Sequence, residues 1–181
     1  MCIGYRADQV RAAMGDRFGP LELAYSVEGA PLGTAGALRR GATLLSGDDV
    51  LAMNGDSFCD ADLGQLVAAH RGLGGVATVA ALHRKDRRAA GVIECDANGR
   101  VVRFAARPTD DAPGLINSGL YAFRREALLK IAADRFVSLE EEVLPQLATL
   151  GTLYCWRVDA DFIDIGTPAT YRAAQTFFQE Q

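Results

Sequence analysis

The sequence has no apolar run long enough to span a membrane, and no basic start that leads into an apolar stretch with a small-residue cleavage site. We therefore expect a cytoplasmic protein without a membrane partner. Positive charge is also scarce, since 19 Lys and Arg residues stand against 23 Asp and Glu residues and the net charge is -4. This balance argues against nucleic acid as a partner, because phosphate backbones bind proteins through an excess of positive charge.

Metal-binding sequence patterns are missing as well. The four cysteines are scattered, with no Cys-x-x-Cys pair and no histidine at the spacing of a metal site. We predict reduced thiols on or near core strands, and neither a zinc site nor a disulfide framework. The two histidines, His70 and His83, are expected to be surface residues, because they come late in a helical pattern and at the end of a strand.

What the sequence does contain is an alternation of strand and helix patterns over the first half of its 181 residues. Residues 21–27 and 76–82 are predicted to be strands, and residues 34–45 and 61–71 carry the 3.6-residue period of helices. Repeated strand-helix-strand units imply a sheet that is covered by helices. We therefore predict a single α/β domain over residues 1–181, with a mixed, mainly parallel sheet.

Turn and cap signals dominate the second half of the chain. An Asn-Gly pair at residues 98–99, between two strand patterns, predicts a β-hairpin. Ser138, followed three residues later by Glu141, predicts a helix that begins with a capping box. Thr167 and Pro168 are typical of the N-cap and first position of a final helix.

Two carboxylates stand just beyond or within short apolar runs, and open α/β sheets bind ligands beyond the ends of their strands. Residues 54–56, Asn-Gly-Asp, follow a predicted strand, so Asp56 either reaches a ligand or caps the next helix. Asp164 is a lone charge in the apolar run 162–165. Because burying an unpaired charge is costly, either a cation or nearby backbone N–H groups must compensate it.

Two stretches rich in small residues are further candidates. Residues 28–37 place glycines before a predicted helix, which either lets the backbone approach a ligand closely or forms an ordinary turn. Residues 114–121 interrupt a strand with Asn117 and Ser118, which either bind hydroxyl groups or, with Gly119, mark a β-bulge.

These stretches, in their order and approximate spacing, resemble the sugar-1-phosphate nucleotidyltransferase family over essentially the whole chain. Residues 31–36 (Pro-Leu-Gly-Thr-Ala-Gly), 54–56 and 164–168 (Asp-Ile-Gly-Thr-Pro) carry the resemblance. The motifs are similar to those of guanylyltransferases that act on mannose or D-glycero-D-manno-heptose 1-phosphate, and residues 114–119 lean towards the heptose branch. The resemblance implies a Rossmann-like, three-layer fold. It also implies attack of a sugar-1-phosphate oxygen on the α-phosphorus of a nucleoside triphosphate, expected to be GTP, with release of pyrophosphate.

The resemblance assigns roles to particular residues. Its catalytic pair, which would also bind Mg²⁺, is Asp56 and Asp164. The positions it places around the nucleobase are Glu28, Gly33 and Thr34. It places four residues at the sugar phosphate: Gly91, Arg107, Asn117 and Thr167. Gly91 matches a contact to the phosphorylated sugar, and Asn117 matches a residue that binds sugar hydroxyls. Thr167 lies beside the sugar.

Two departures from the family pattern stand out. Many members carry Glu-Lys-Pro where residues 106–108 read Ala-Arg-Pro, so Arg107 keeps the positive charge, whereas Ala106 cannot bind the sugar as the glutamate does. The family also begins with a strand and a glycine-rich, Arg-containing loop that holds the triphosphate, and nothing of that kind precedes Met1. We therefore expect an N-terminally incomplete domain with exposed sheet edges, which would favour a homo-oligomer.

Three hypotheses follow. The chain represents an enzyme of this family, or it is a truncated, catalytically inactive relative that only binds sugar phosphate or nucleotide. The third, a purely structural or interaction protein, leaves Asp56 and Asp164 as a coincidence, and it predicts that replacing either aspartate leaves ligand binding unaffected.

Overall fold

The computed structural model describes residues 1–85, 91–107 and 112–179. Within these ranges the strands are β1 (Cys2–Ile3), β2 (Arg17–Phe18), β3 (Leu21–Glu22), β4 (Ser26–Val27), β5 (Asp49–Met53), β6 (Ser57–Cys59), β7 (Ala77–Arg84), β8 (Val92–Cys95), β9 (Val101–Ala105), β10 (Gly114–Arg124), β11 (Leu153–Arg157) and β12 (Phe162–Asp164). The α-helices are α1 (Ala7–Met14), α2 (Gly33–Ala42), α3 (Leu63–Leu73), α4 (Arg125–Leu129), α5 (Leu144–Thr149) and α6 (Pro168–Phe177), and a π-helical turn, Leu139–Val143, precedes α5. No helix of the described ranges is long and apolar enough to cross a membrane.

The central six-stranded sheet is organised around β10, its longest strand. β7 pairs with one edge of β10, and β8 and β5 pair in succession along the other edge, all three antiparallel. β11 extends the sheet beyond β7 in a parallel pairing. β9 extends it beyond β8 as the second strand of the predicted hairpin, which is confirmed.

The α/β class and the mixed sheet are confirmed, but the described pairings are more antiparallel than we expected. In the central sheet β7 and β11 form the one parallel pair among the described strands, and the other four pairings are antiparallel. The reason is the position of β10. β5 and β7 run in the same direction, but β10 lies between them and replaces one parallel contact by two antiparallel ones.

Both faces of the central sheet are covered, which gives the three layers that the resemblance implied. Residues 77–82 of β7 are all buried, as expected for a strand without a solvent face. Val79 and Phe123 pack into a cluster with α2 and α5, whereas Ala80 and Leu120 pack with Leu66 of α3. Because side chains alternate along a strand, these two clusters lie on opposite faces.

The N-terminal segment, residues 1–31, forms small, separate pieces. β1 pairs with β4 in parallel, β2 pairs with β3 in a hairpin, and α1 contains no buried residue. The prediction of one strand over residues 21–27 is wrong, because its two halves, β3 and β4, pair with different partners. On the edge away from β10, β5 has no pairing partner among the described strands.

His70 is fully buried, so its prediction as a surface residue is wrong, whereas His83 is exposed as expected. His70 follows Leu66 by one helical turn and therefore lies on the face of α3 that packs against the sheet. Its Nδ1 lies 2.9 Å from the Thr78 hydroxyl, and its Nε2 lies 3.8 Å from an Asp49 carboxylate oxygen. These partners offset part of the cost of burying a polar ring.

Candidate active site

A cleft of about 450 Å³ opens where β5 and β7 end, beside the middle of β10. A second cleft of about 290 Å³ adjoins it, since both are bordered by Asn54, Ala106 and Glu140. The charged residues of the first cleft are Asp56, Arg84, Glu140 and Asp164. Those of the second are Arg107, Glu140 and Glu141. The two clefts therefore form one polar depression that contains both signs of charge.

The carboxylates Asp56 and Asp164 are brought together by the pairing of β6 with β12. Asp164 lies opposite Ser57 in this antiparallel pair, and the N–H of Ile165 donates to the carbonyl oxygen of Asp56 at 2.8 Å. Asp164 Oδ1 accepts the N–H of Gly166 at 3.0 Å, so a backbone partner compensates part of its charge. Two residues that are far apart in the sequence thus face one cleft.

Asp56 does not cap the helix that follows it. The cap of α3 is Asp62, whose Oδ1 accepts the N–H of Gln65 at 3.1 Å. This leaves the Asp56 carboxylate with a weak contact from the Ser57 hydroxyl at 3.4 Å. Of the two alternatives for Asp56, the helix cap is therefore wrong, and the carboxylate stays directed to the cleft that it lines.

Asn117, Tyr121 and Glu140 form a hydrogen-bonded group at the boundary of the two clefts. Asn117 Nδ2 donates to the Tyr121 hydroxyl and to Glu140 Oε1, both at 2.6 Å. Its Oδ1 accepts the N–H of Gly119 at 3.0 Å. Both amide protons are therefore in use, and Asn117 acts as a fixed support that orients the Glu140 carboxylate.

Burial alters the acid-base behaviour of this group. It raises the pKa of Tyr121 far above its ordinary value, so this hydroxyl is neutral at any physiological pH. Burial also raises the pKa of Glu140, against the opposing effect of the hydrogen bond from Asn117, and the negative charges of Glu141 and Asp56 raise it further. Glu140 is thus a carboxyl group whose proton affinity depends on the charge of Asp56.

Gly119 marks a β-bulge, as one of the two hypotheses for residues 114–121 predicted. The register between β10 and β7 shifts between Asn117 and Tyr121. Gly119 has a φ of 74°, and a Cβ there would lie 2.8 Å from the side-chain Nδ2 of Asn54. The Ser118 hydroxyl donates to the carbonyl of Ala80 at 2.8 Å, so it points into the sheet and not to the cleft.

The turn that carries Glu140 is π-helical. Ser138 caps it as predicted, because its hydroxyl accepts the N–H of Glu141 at 3.1 Å. The return bond of the capping box comes from Glu142 and not from Glu141, since the N–H of Ser138 donates to Glu142 Oε1 at 3.0 Å. The wider turn accounts for this one-residue shift, and such turns are frequent at functional sites.

A family model described as Nucleotidyl transferase matches residues 4–181. The chain belongs to this family. The resemblance found in the sequence is therefore confirmed, and the polar depression is the candidate for the transferase site. Nucleotidyl transferases catalyse group transfer, so the chain comes from a family of enzymes.

Individual relatives agree with this assignment. A mannose-1-phosphate guanylyltransferase of Mycobacterium tuberculosis is 36% identical over 153 residues, which are 83% of this chain and 43% of the relative. A mannose-1-phosphate guanylyltransferase catalytic subunit beta of Drosophila pseudoobscura pseudoobscura is 31% identical over 176 residues, 94% of this chain and 47% of the relative. Among solved structures, HddC from Yersinia pseudotuberculosis superposes with a TM-score of 0.83 at 25% identity, covering 97% of this chain and 76% of that one. The chain thus spans about half the length of these curated relatives.

The polar depression gathers six of the nine residues to which the resemblance assigned a role. Those in the first cleft are Asp56, Gly91, Asn117 and Asp164. Those in the second are Thr34 and Arg107. Pro108, which completes the Ala-Arg-Pro run, lies outside the described residues.

The remaining three residues line neither cleft and have clear local structural roles. Glu28 Oε2 accepts the N–H of Leu32 at 2.9 Å and holds the turn before α2. Gly33 has a φ of 70°, and a Cβ there would lie 2.5 Å from the carbonyl oxygen of Val137. Thr167 caps α6, as predicted. Their roles at the nucleobase and the sugar stay predictions.

Sequence reasoning assigned no role at the site to three of its charged residues, Arg84, Glu140 and Glu141. Arg84, at the end of β7, lines the cleft of the two aspartates, and its guanidinium donates to the carbonyls of His83 and Ala160. The sequence signal that could have identified Arg84 is the group of basic residues at the end of this strand, residues 84–88. Glu140 gave no comparable signal, because it stands within three consecutive glutamates and the capping pattern drew attention to Glu141.

Proposed function

We propose that this chain carries the metal- and sugar-binding side of an enzyme that transfers a guanylyl group from GTP to mannose 1-phosphate or D-glycero-D-manno-heptose 1-phosphate. An oxygen of the sugar phosphate attacks the α-phosphorus, pyrophosphate leaves, and a GDP-sugar forms. The observation that carries the proposal is the pair Asp56 and Asp164, brought into one cleft with the cation Arg84 by the pairing of β6 with β12. The names of the relatives support a guanine nucleotide and a mannose-type sugar.

Asp56 and Asp164 suit Mg²⁺, which prefers oxygen ligands and is commonly held by one or two carboxylates together with substrate phosphates. Among the described residues no group of three or more His, Cys, Asp or Glu side chains could hold a metal ion. A two-carboxylate site leaves coordination positions for water and for phosphate oxygens, so substrate would strengthen metal binding. When bound, Mg²⁺ neutralises charge on the reacting phosphates.

The two arginines of the depression are suited to the phosphates. Arg84 lies in the cleft of the two aspartates, and Arg107 is exposed in the adjoining cleft. A guanidinium group can bind phosphate through two parallel hydrogen bonds. Gly91 also lines the first cleft, and a Cβ there would lie 3.2 Å from the Phe104 ring, so a larger residue would crowd this wall. Phosphoryl chemistry of this kind depends on positioning and charge stabilisation more than on a strong base.

Glu140 is suited to bind sugar hydroxyls. It borders both clefts beside Ala106, where many family members carry a glutamate, and the amide of Asn117 fixes its orientation. A carboxylate accepts hydrogen bonds from two neighbouring hydroxyl groups, which is a common way to recognise a sugar. Glu140 thereby supplies the carboxylate that residue 106 does not, and Asn117 contributes by positioning it. Thr167 remains a candidate beside the sugar, and Glu28, Gly33 and Thr34 remain candidates around the base.

A second candidate is a catalytically inactive relative that binds sugar phosphate or nucleotide. It is favoured by the edge of β5 that no described strand covers, and by the exposed apolar side chains of the N-terminal segment. Such a relative would bind the sugar phosphate or the nucleotide without turnover.

The deciding experiment measures pyrophosphate release with Mg²⁺, GTP and a panel of sugar 1-phosphates, together with calorimetric binding of each ligand. We expect Asp56→Asn and Asp164→Asn to lower turnover about 100-fold or more, because each variant loses a carboxylate that would hold Mg²⁺ at the reacting phosphates. Asp60→Asn is the matched control, since Asp60 is exposed and lines neither cleft. Glu140→Gln should raise the KM for the sugar phosphate and leave that for GTP unchanged.

The outcomes separate the candidates. Sugar-phosphate binding without turnover, weakened by Glu140→Gln, supports the inactive relative. If neither aspartate variant changes turnover or ligand binding, both candidates are wrong, and a structural or interaction protein remains.

A further inference from the structure

Two cysteines that are far apart in the sequence meet where β8 ends beside β11. The Sγ atoms of Cys95 and Cys155 lie 2.8 Å apart, and both residues are free thiols. Cys155 is buried, and Cys95 is half-buried and thus accessible to a small reagent. A disulfide bond is about 2.05 Å long, so the two sulfurs need to approach by less than about 1 Å to form one.

Backbone contacts hold the two sulfurs in this position. The N–H of Cys155 donates to the carbonyl of Gly99 at 2.7 Å, and Arg100 forms an antiparallel bridge with Tyr154. Gly99 has a φ of 79°, and a Cβ there would lie 3.1 Å from the carbonyl oxygen of Cys155. The hairpin turn therefore rests directly on β11, and the proximity of the thiols follows from the fold.

Arg157 distinguishes the two sulfurs chemically. Its Nη2 donates to the Cys95 Sγ at 3.3 Å, and Cys95 is also the more accessible of the two thiols. Burial raises the pKa of Cys155 to about 12, with further contributions from the hydrogen bond and charge of Cys95. Cys95 is therefore suited to attack an oxidant, and Cys155 is suited to react second.

We propose that Cys95 and Cys155 form a reversible disulfide when the chain meets a disulfide oxidant such as oxidised glutathione. The Cys95 thiolate attacks one sulfur of the oxidant and releases one glutathione thiolate. Cys155 then gives its proton to solvent, attacks the Cys95 sulfur and releases the second glutathione. Two protein thiols are oxidised, and one glutathione disulfide is reduced to two thiols.

The crosslink would connect the β8–β9 hairpin to β11, another strand of the same central sheet. The same hairpin is flanked by Gly91 and by Ala106 and Arg107, which line the two clefts. Formation of the disulfide would thus anchor one wall of the polar depression. The proposal does not depend on the proposed function, because the disulfide forms between two protein thiols without any substrate of the cleft.

The test is oxidation of the full chain with oxidised glutathione, alkylation of the remaining thiols, and mass spectrometry of a non-reducing digest. We expect one crosslinked peptide pair that contains Cys95 and Cys155 and that dithiothreitol reverses, with Cys2 and Cys59 alkylated. Cys95→Ser and Cys155→Ser should each abolish the pair, and Cys59→Ser should retain it.

Arg157→Gln adds a kinetic readout, since loss of the hydrogen bond that orients the Cys95 Sγ should slow crosslinking severalfold. An unchanged rate would overturn the assignment of Cys95 as the attacking sulfur. Stable glutathionylation of Cys95 without the crosslink, or full alkylation of both thiols after oxidation, would overturn the disulfide itself.

Discussion

β7 and β10 bury nearly every side chain they carry, whereas α1, in the N-terminal segment, buries none. Tyr5 is 86% exposed and Phe18 is 66% exposed, while Phe123 of β10 is 1% exposed. The central strands have partners on both edges and helices on both faces, but the short strands β1 and β4 pair only with each other among the described strands. The comparison shows that apolar composition alone does not create a core; a core requires neighbours on every side.

The two regions also divide the site. Asn117 and Glu140 are held by the central sheet and the turn packed on it, so the proposed sugar side rests on well-buried structure. Glu28 and Gly33, predicted at the nucleobase, lie where the N-terminal segment meets α2. Regions with few buried contacts open locally at little cost. We therefore expect the N-terminal segment, which adjoins the predicted nucleobase positions, to open more readily than the central sheet.

The largest expected effect tests the central region. Phe123→Ala should lower the free energy of unfolding by about 3–5 kcal/mol, because it removes a buried ring and leaves a cavity beside Tyr121 and Val79. Urea denaturation followed by circular dichroism measures the change. Phe123→Leu is the control and should cost much less, since it retains most of the apolar volume. A loss below about 1 kcal/mol for the alanine variant would show that this cluster does not carry the fold.

An intermediate effect is expected at His70, which joins α3 to the sheet. Burial lowers its pKa, against the attraction of Asp49, and the nearby Arg124 and Arg71 lower it further. As the pH falls below about 6.5, the unfolded state takes up a proton that the folded state resists, so stability is lost on acidification, by at most about 1.4 kcal/mol per pH unit. Denaturation midpoints between pH 7.5 and pH 5 measure this slope.

His70→Asn is the control for that slope. It keeps a polar side chain near Thr78 but does not titrate, so the stability of the variant should vary less with pH in this window. Asp49 contributes only at lower pH, because the hydrogen bond from Arg71 holds the pKa of its carboxyl below the ordinary value. Equal slopes for both proteins would exclude His70 as the source.

Sequence reasoning succeeded where a local pattern determines the structure. Asn98-Gly99 identified the hairpin, Ser138 and Thr167 identified the starts of two helical segments, and the run 76–82 identified a doubly buried strand. Asp56 and Asp164 were paired through the resemblance, since no local signal connects residues that far apart.

The errors have a common physical origin in contacts between distant segments. The burial of His70 involves contacts with Thr78 and Asp49, which belong to other elements. The local sequence does not show these contacts, so His70 was expected on the surface. The insertion of β10 between β5 and β7, and the meeting of Cys95 with Cys155, likewise depend on strand order. Periodicity reports which face of an element is apolar, and it does not report which element covers that face.

The smallest expected effect lies in the N-terminal segment. Phe18→Ala should change the free energy of unfolding by less than about 0.5 kcal/mol, because the ring is mostly exposed and β2 contacts only β3 in its sheet. The measurement is the same denaturation curve, repeated at several protein concentrations. A loss above about 2 kcal/mol that grows with protein concentration would show that this region is buried against a second copy of the chain, as the open sheet edges would favour. The difference in burial between the central strands and the N-terminal segment would then hold only for the monomer.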